Sequence, residues 1–266
     1  MKILFWLVLL GLLFILWQVE TYRLVSQTVY LKKTTRLKLS APLMSKLTIV
    51  QISDLHFSRF YSVKHFKKVQ AEIQVKKPDL IIFTGDLIEN YRYWKMRDFT
   101  PVIESLRQLE APYGKFAILG NHDYRSGGEA FVKTSLIAAG FTVLDNQSVE
   151  LTQLEVSILG LADGRCGRPD YTKPLPPAKL SLVLVHEPDQ VKFLTQRPDL
   201  ILVGHSHGGQ IALPFFRYKN PGSHDYLAGF YQLPHSLLFV NTGIGTTGPP
   251  FRFRVPPEIS FFVLDF

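Results

Sequence analysis

Cysteine is all but missing from this chain. Cys166 stands alone among 266 residues, which excludes an internal disulfide framework and a cysteine zinc cluster. Repeats and low-complexity tracts are lacking too, so neither a solenoid nor a disordered tail is expected. Acidic side chains are scarce at one end only. The first 50 residues hold seven Lys/Arg against the single acid Glu20, whereas the other 216 hold 23 basic and 21 acidic side chains. Most of the net charge of +8 therefore sits beside the N-terminus, with +6 in the first 50 residues and +2 in the rest. A nucleic-acid-binding protein usually carries its basic excess on the main domain, so nucleic acid is not expected as a partner. The placement suits a chain lying against anionic lipid headgroups.

A long apolar run is also missing. The longest, Ile3 to Trp17, spans 15 residues without a charge, short of the roughly 20 of a full membrane span. No small-residue cleavage site follows it. Residues 1–20 are read as an uncleaved N-terminal transmembrane or signal-anchor helix attached to the membrane through residues 3–17, with a cleaved signal or a soluble amphipathic segment as the other readings. Trp6 and Trp17 suit the interfaces. Arg23, Lys32, Lys33 and Arg36 follow closely, so the positive-inside tendency places the main domain on the cytoplasmic side.

What is present is a globular composition, with 46% hydrophobic, 13% aromatic and 20% charged residues. Residues 21–45 read as a basic connector whose stretch 28–39 alternates like an edge strand. From 46 to 266 the pattern is that of one domain. Continuous apolar strands are expected at 47–52, 79–85 and 115–120, and helices at 63–77, 100–109 and 128–140, with Thr100 as N-cap and Pro101 at the first position of the second helix. The second half reads as neighbouring strands at 142–151 and 155–162. Buried strands at 180–186 and 199–205 flank a short helix near 189–196, and further strands lie at 237–243 and 259–266. About nine strands exceed one simple sheet. The expected fold class is α/β, a four-layer αββα sandwich of two mixed sheets flanked by helices.

Five loops follow these buried strands: "SDLH" with Asp54 and His56, "TGDL" with Asp86, "LGNHD" with Asn121, His122 and Asp123, "LVHEP" with His186, and "VGHSHGG" with His205 and His207. Five of the eight histidines lie there. Taken singly, an Asp after a strand is commonly a turn former or helix cap, and a lone His is commonly structural. Asp-x-His places both side chains on one side through the two-residue period. His205 and His207 are harder to dismiss, because imidazoles on one side between small residues are costly to pack without a partner, and a metal is a natural one. Ligand sites in α/β sheets gather at strand carboxyl ends, and all five loops share that location.

The set D-x-H, G-D, G-N-H-D, H and G-H-x-H resembles the calcineurin-like metallophosphoesterase family over about residues 47–210. Within it, "GHSHGGQ" and the ending "GIGTTGPPFRFRVPPEISFFVL" are similar to bacterial membrane-associated members, some of which act as UDP-2,3-diacylglucosamine pyrophosphatases in lipid A synthesis. The resemblance implies two divalent metal ions. One would be held by Asp54, His56, Asp86 and His207, the other by Asp86, Asn121, His186 and His205, with Asp86 as the bridge. It also implies His122 as proton donor and Asp123 as its orienting partner. Nitrogen and oxygen ligands without thiolate suit Mn, Fe or Zn better than Ca. A pair of such ions lowers the pKa of a shared water and grips the phosphoryl oxygens, and an imidazole can supply the leaving group's proton. The sequence departs from many family members after G-D-L, where Glu89 and Asn90 stand at a supporting position.

The substrate is less legible. Aromatic-rich loops at 57–61, 91–95 and 214–226 could shape the mouth of the site, and Arg59 is the candidate substrate contact; ordinary loop packing is the alternative for each. His65, His224 and His235 read as structural. The expected activity is metal-dependent hydrolysis of a phosphodiester or pyrophosphate bond in a phosphorylated small molecule or lipid-linked substrate such as UDP-2,3-diacylglucosamine. A nucleotide phosphodiesterase or nuclease is the alternative enzyme, and a catalytically inactive scaffold or binding module is the alternative outside enzymes. Oligomeric state is not legible.

Overall fold

Strands that are apolar at every position need cover on both faces, and the chain answers by stacking two sheets. A computed structural model describes residues 2–31 and 46–265, apart from the side chains of residues 15–20 and 265. Most of the basic connector, with Lys32, Lys33, Arg36 and Lys38, lies outside the described residues. An N-terminal helix, α1 (Lys2–Tyr22), leads into a strand, β1 (Val25–Leu31). Strand and helix then alternate: β2 (Lys46–Ile52), α2 (Val63–Lys76), β3 (Leu80–Thr84), the single turn α3 (Tyr91–Trp94), α4 (Thr100–Arg107), β4 (Lys115–Ile118), the single turn α5 (Asn121–Tyr124), α6 (Glu129–Ala138) and β5 (Thr142–Val143). The second half is mostly strand: β6 (Gln147–Leu151), β7 (Val156–Gly160), β8 (Leu180–Leu184), β9 (Leu200–Val203), a small hairpin of β10 (Ala212–Leu213) and β11 (Phe216–Arg217), then β12 (Gly229–Gln232), β13 (Leu237–Val240) and β14 (Glu258–Asp265).

The first sheet runs β1-β14-β2-β3-β4-β5 and the second β12-β13-β9-β8-β7-β6. Both are mixed. β2 to β5 are parallel and β14 opposes β2, while β7, β8, β9 and β13 are parallel with antiparallel β6 and β12 at the edges. Residues 28–31 of the stretch expected as an edge strand close β1, which pairs in parallel with β14 at the edge of the sheet, while 32–39 lie outside the described residues.

Between the sheets, Ile49, Ile82 and Ile118 meet Ile158, Leu182 and Leu202 in one apolar layer. The opposite face of the first sheet is covered by helices. α2 presents Phe66, Val69 and Ile73 at helical spacing to Val50, Ile81 and Phe83, joined by Leu106 of α4 and Val132 and Leu136 of α6. α2 ends where Lys77 takes a left-handed conformation (φ 46°) and donates its N–H to the Ile73 carbonyl, just before Pro78, as a helix C-terminus requires. Thr100 opens α4 instead of capping it. Phe99 holds the cap position, and Asp98 Oδ1 accepts the Thr100 N–H at 2.9 Å.

The outer face of the second sheet corrects the expected fourth layer. Val183, Ile201, Val203 and Val240 are covered there by Tyr171, Leu175, Val191 and Tyr226, which come from loops and a 3-10 turn at Pro188–Phe193. No α-helix covers this face among the described residues. Pro169, Pro174, Pro176 and Pro177 in one crossover, and Pro188 and Pro198 in the next, remove backbone donors and prevent a long helix.

α1 carries its apolar side chains in the open; Phe5, Leu10 and Phe14 are all more than half exposed. Among the described residues no helix is long and apolar enough to cross a membrane. The end of α1 docks on the domain, where Thr21 Oγ1 accepts the Arg252 N–H at 3.1 Å and the Tyr22 ring stacks on His65.

Candidate metal centre

Parallel strands in close register deliver their following loops to one rim. β2, β3 and β4 of the first sheet and β8 and β9 of the second all end there, each in a loop bearing the polar side chains singled out above. Asp54, His56, Asp86, Asn121, His122, Asp123, His186, His205 and His207 are all buried. Burial of so many polar groups is costly unless each finds a partner. The turns that aim them are tight. Asp54, His56, Asp86, His205 and His207 all have positive φ, between 46° and 66°, a conformation that costs a non-glycine residue about 1–2 kcal/mol. Two glycines leave room for the result. A Cβ on Gly120 would lie 2.4 Å from Asp86 Oδ1, and one on Gly204 would lie 2.0 Å from Ser53 Oγ.

The side chains fall into two adjoining sets. Asp54, His56 and His207 bring ligand atoms together in one; Asp86, His186 and His205 do so in the other. In the first, His56 Nε2 lies 3.0 Å from His207 Nε2, and Asp54 Oδ1 lies 3.4 Å from His207 Nε2. In the second, His186 Nε2 lies 3.3 Å from His205 Nδ1 and 3.2 Å from Asp86 Oδ2. Asp86 touches both, because the same Oδ2 is 3.5 Å from His56 Nε2.

Neighbouring hydrogen bonds fix which nitrogens face inward. His186 Nδ1 donates to the Thr84 carbonyl at 2.7 Å, and His205 Nε2 donates to the Pro221 carbonyl at 3.0 Å, so each ring turns its other nitrogen to the centre. Asn121 Oδ1 is buried with no hydrogen-bond partner among the described residues. Facing imidazole nitrogens, two carboxylates and a stranded amide oxygen form a donor set that fits divalent cations.

The electrostatics point the same way. Burial works against charge on His56, but the Asp54, Glu89 and Asp86 carboxylates outweigh it and raise its pKa to about 10. His186, likewise buried, is held well above the ordinary value by Asp86 and Asp54. Burial and the neighbouring His186 lower His205 to about 4, and burial lowers His207 well below its usual range. Asp54 and Asp86 stay ionised despite burial because imidazoles surround them.

Three residues stand differently from the sequence reading. Among the described residues no hydrogen bond joins the Asp123 carboxylate to the His122 ring. Asp123 Oδ2 accepts the N–H groups of Asp86 and Gly120, both at 2.9 Å, and its Oδ1 accepts that of Ile88 at 3.2 Å. It therefore ties two loops together, because a carboxylate at the third position of the α5 turn meets backbone donors before it can reach a ring on the turn's other side. Burial and the nearby Asp86 raise its pKa to about 7.

His122 is oriented instead by Glu89. Nδ1 lies 2.9 Å from the Glu89 carbonyl oxygen and 3.3 Å from its carboxylate, with Arg125 Nη1 at 2.9 Å, while Nε2 faces Thr247 Oγ1 at 3.4 Å. Glu89 Oε2 is also 2.7 Å from His56 Nδ1. Arg59 is exposed, with its guanidinium over the Phe60 ring, and does not line the cleft.

That cleft, of about 390 Å³, opens over the centre between Asp86, Asn121 and His122 on one side and Tyr218 and Asn220 on the other, with Arg125 and Arg165 at its wall. Of the three aromatic loops only 214–226 reaches it. Trp94 of the second donates to the Phe57 carbonyl at 2.8 Å and Tyr91 packs on Phe131, so that loop packs against the core through Tyr91 and Trp94. His65 fits its structural reading between Tyr22 and Tyr61.

Arg252 gave no signal in the sequence, where "FRFR" reads as an exposed alternation. Its guanidinium is buried and donates to the carbonyls of Thr242, Gly243, Gly245 and Val255, with Nη2 3.3 Å from His207 Nδ1.

Comparison with known proteins bears on this rim directly. The model of the Calcineurin-like phosphoesterase family matches residues 47–209, the segment that contributes all five loops. A metallophosphoesterase of Bacillus subtilis, YkuE, is 41% identical over 81% of this chain and 78% of its own. The UDP-2,3-diacylglucosamine pyrophosphatase LpxG of Chlamydia trachomatis is 30% identical over 86% of this chain and 88% of its own. The phosphodiesterase YaeI of Escherichia coli is 30% identical over 81% of each. The chain belongs to the calcineurin-like phosphoesterase family and is a metal-dependent hydrolase of phosphoric esters.

Proposed function

We propose that this protein hydrolyses a phosphodiester or pyrophosphate bond of a lipid-linked substrate at a membrane surface, with UDP-2,3-diacylglucosamine as the model compound. The observation that carries the reading is Asp86, whose Oδ2 stands between His56 Nε2 at 3.5 Å and His186 Nε2 at 3.2 Å. One carboxylate so placed joins two ligand sets: Asp54, His56, Asp86 and His207, and Asp86, Asn121, His186 and His205. When bound, two divalent cations (Mn, Fe or Zn) supply Lewis acidity to the phosphoryl oxygens and a more acidic water. His122 Nε2 faces the cleft and donates a proton to the leaving oxygen. Glu89 holds Nδ1 of the same ring, and Arg125 and Arg165 attract the substrate's phosphates.

The lipid-linked substrate draws support from the pyrophosphatase relative at 30% identity and from the apolar, exposed α1; the reading includes attachment of the chain to a membrane through that helix, with its domain on the cytoplasmic side. The test is a panel of phosphomonoester, phosphodiester, nucleotide-sugar and lipid pyrophosphate substrates assayed with Mn, reading which bond breaks. Preference for the lipid pyrophosphate, abolished together with metal binding by Asp86→Ala, is the expected result. Exclusive cleavage of soluble nucleotides or nucleic acid would overturn the substrate assignment.

A further inference from the structure

Beside the cleft the chain leaves large apolar side chains in water. Leu213, Phe215 and Phe216 on the β10–β11 hairpin are exposed, Phe215 completely, and so are Phe251 and Phe253. Scattered exposed apolar residues need no explanation, but a contiguous patch marks an interaction site, and this one is contiguous. The Ala212 N–H donates to the Phe253 carbonyl at 2.9 Å, and the Phe253 N–H donates to the Gln210 carbonyl at 3.1 Å. Gln210 in turn donates to the Thr247 carbonyl at 3.1 Å. The patch borders the cleft, which Tyr218, Thr247 and Gly248 help to line.

Its charge is one-sided. Stretches 208–219 and 247–254 contain no acid, while Arg217, Lys219 and Arg254 are exposed cations. The patch also continues from α1, since Thr21 at the end of that helix accepts the N–H of Arg252, the buried residue between Phe251 and Phe253. Aromatic side chains ringed by Lys and Arg suit the headgroup region of an anionic bilayer. A second copy of the chain fits less well, because a two-fold contact would set the same cations against each other.

We propose that the β10–β11 hairpin, with Phe251 and Phe253, is a lipid-facing platform that seats the mouth of the metal cleft on a bilayer with anionic headgroups. The inference rests on the reading that the substrate is lipid-linked, and it adds the surface by which the site meets it. The platform presents the cleft to headgroups without requiring the lipid to leave the bilayer.

The test uses the full chain reconstituted in phosphatidylcholine–phosphatidylglycerol vesicles. A nitroxide is placed at Phe215→Cys in a Cys166→Ser background, with Val75→Cys, exposed near the end of α2, as reference. Collision rates with oxygen and with a water-soluble nickel chelate report depth. The label at 215 should favour oxygen and the label at 75 the chelate. Equal, water-like behaviour at both positions overturns the platform, and so does dipolar broadening at 215 without vesicles, which would show a second copy covering the hairpin.

A functional arm uses Phe215→Asp with Phe216→Asp. Hydrolysis of a soluble chromogenic diester should stay unchanged, while hydrolysis of a dialkyl pyrophosphate embedded in the vesicles should fall about tenfold or more, the scale of losing one buried aromatic contact. Equal loss on both substrates, or loss on neither, counts against the platform. If the unaltered chain cleaves neither, the phosphoesterase reading of this site fails, and the depth measurement still decides the platform on its own.

Discussion

Glu89 Oε2 lies 2.7 Å from Nδ1 of His56, and the pairing turns the other ring nitrogen toward Asp54, Asp86 and His207. A carboxylate behind a histidine ligand fixes the ring and raises its basicity. Glu89→Gln should therefore weaken metal affinity by about 10–100-fold while leaving the fold intact. Metal titration followed by calorimetry checks it, and an unchanged affinity would remove Glu89 from the site.

His122 and Asp123 are neighbours with separate work. His122→Ala should retain metal and slow turnover by about 10²–10⁴-fold on substrates with poor leaving groups. Asp123→Ala should chiefly destabilise, since it strands three buried N–H groups, at about 1–3 kcal/mol for each one left unpaired. Metal content and thermal melts of the two variants separate the roles. If Asp123→Ala melted normally and only its pH–rate profile moved, Asp123 would be acting on the His122 ring after all.

Glu187 is buried beside Asp163. Burial first, and then that carboxylate, push its pKa from 4.5 up to about 8. The folded state thus keeps a proton that the unfolded chain releases. The associated stability is full below the unfolded value and is lost as pH rises through the folded one. The natural protein should become less stable between about pH 5 and pH 8, and Glu187→Gln should flatten that slope. Melting temperatures of both proteins across the window decide it; parallel slopes would assign the dependence elsewhere.

Gly204, which follows β9 of the second sheet, packs against the loop after β2 of the first. A Cβ there would lie 2.0 Å from Ser53 Oγ and 2.4 Å from Asp54 Oδ2. Gly204→Ala should displace Asp54, at a cost of about 1–3 kcal/mol for overpacking, and should weaken the Asp54, His56 and His207 set before the other. Spectroscopic titration with Co in place of the native ion would show one site lost and one kept. Loss of neither would mean the loop yields freely.

The strand ends and their ligand-type side chains were legible because buried parallel strands are uninterrupted apolar runs, and because Asp54, His56, Asp86, His186, His205 and His207 follow them directly. The second layer around them was not. Nothing in "GDLIEN" tells whether Glu89 turns toward His56 or toward solvent, since that depends on the turn before α3. Asp123 misled for the same reason, as adjacency in sequence to His122 places its carboxylate among the N–H groups of Gly120 and Asp86 and not beside the ring. Arg252 was hidden by its alternation with two exposed phenylalanines. The missing helical layer over the second sheet was written in the prolines of 169–177, which strand periodicity alone does not weigh.

The left-handed backbone at Asp54, His56, Asp86, His205 and His207 has a consequence for how such a protein can change over time. At each of these positions glycine would fold with less strain and would abolish function. Sequence optimised for folding and sequence optimised for hydrolysis therefore pull in opposite directions at the same five codons. A lineage released from its substrate should shed these residues first and gain stability as it does so.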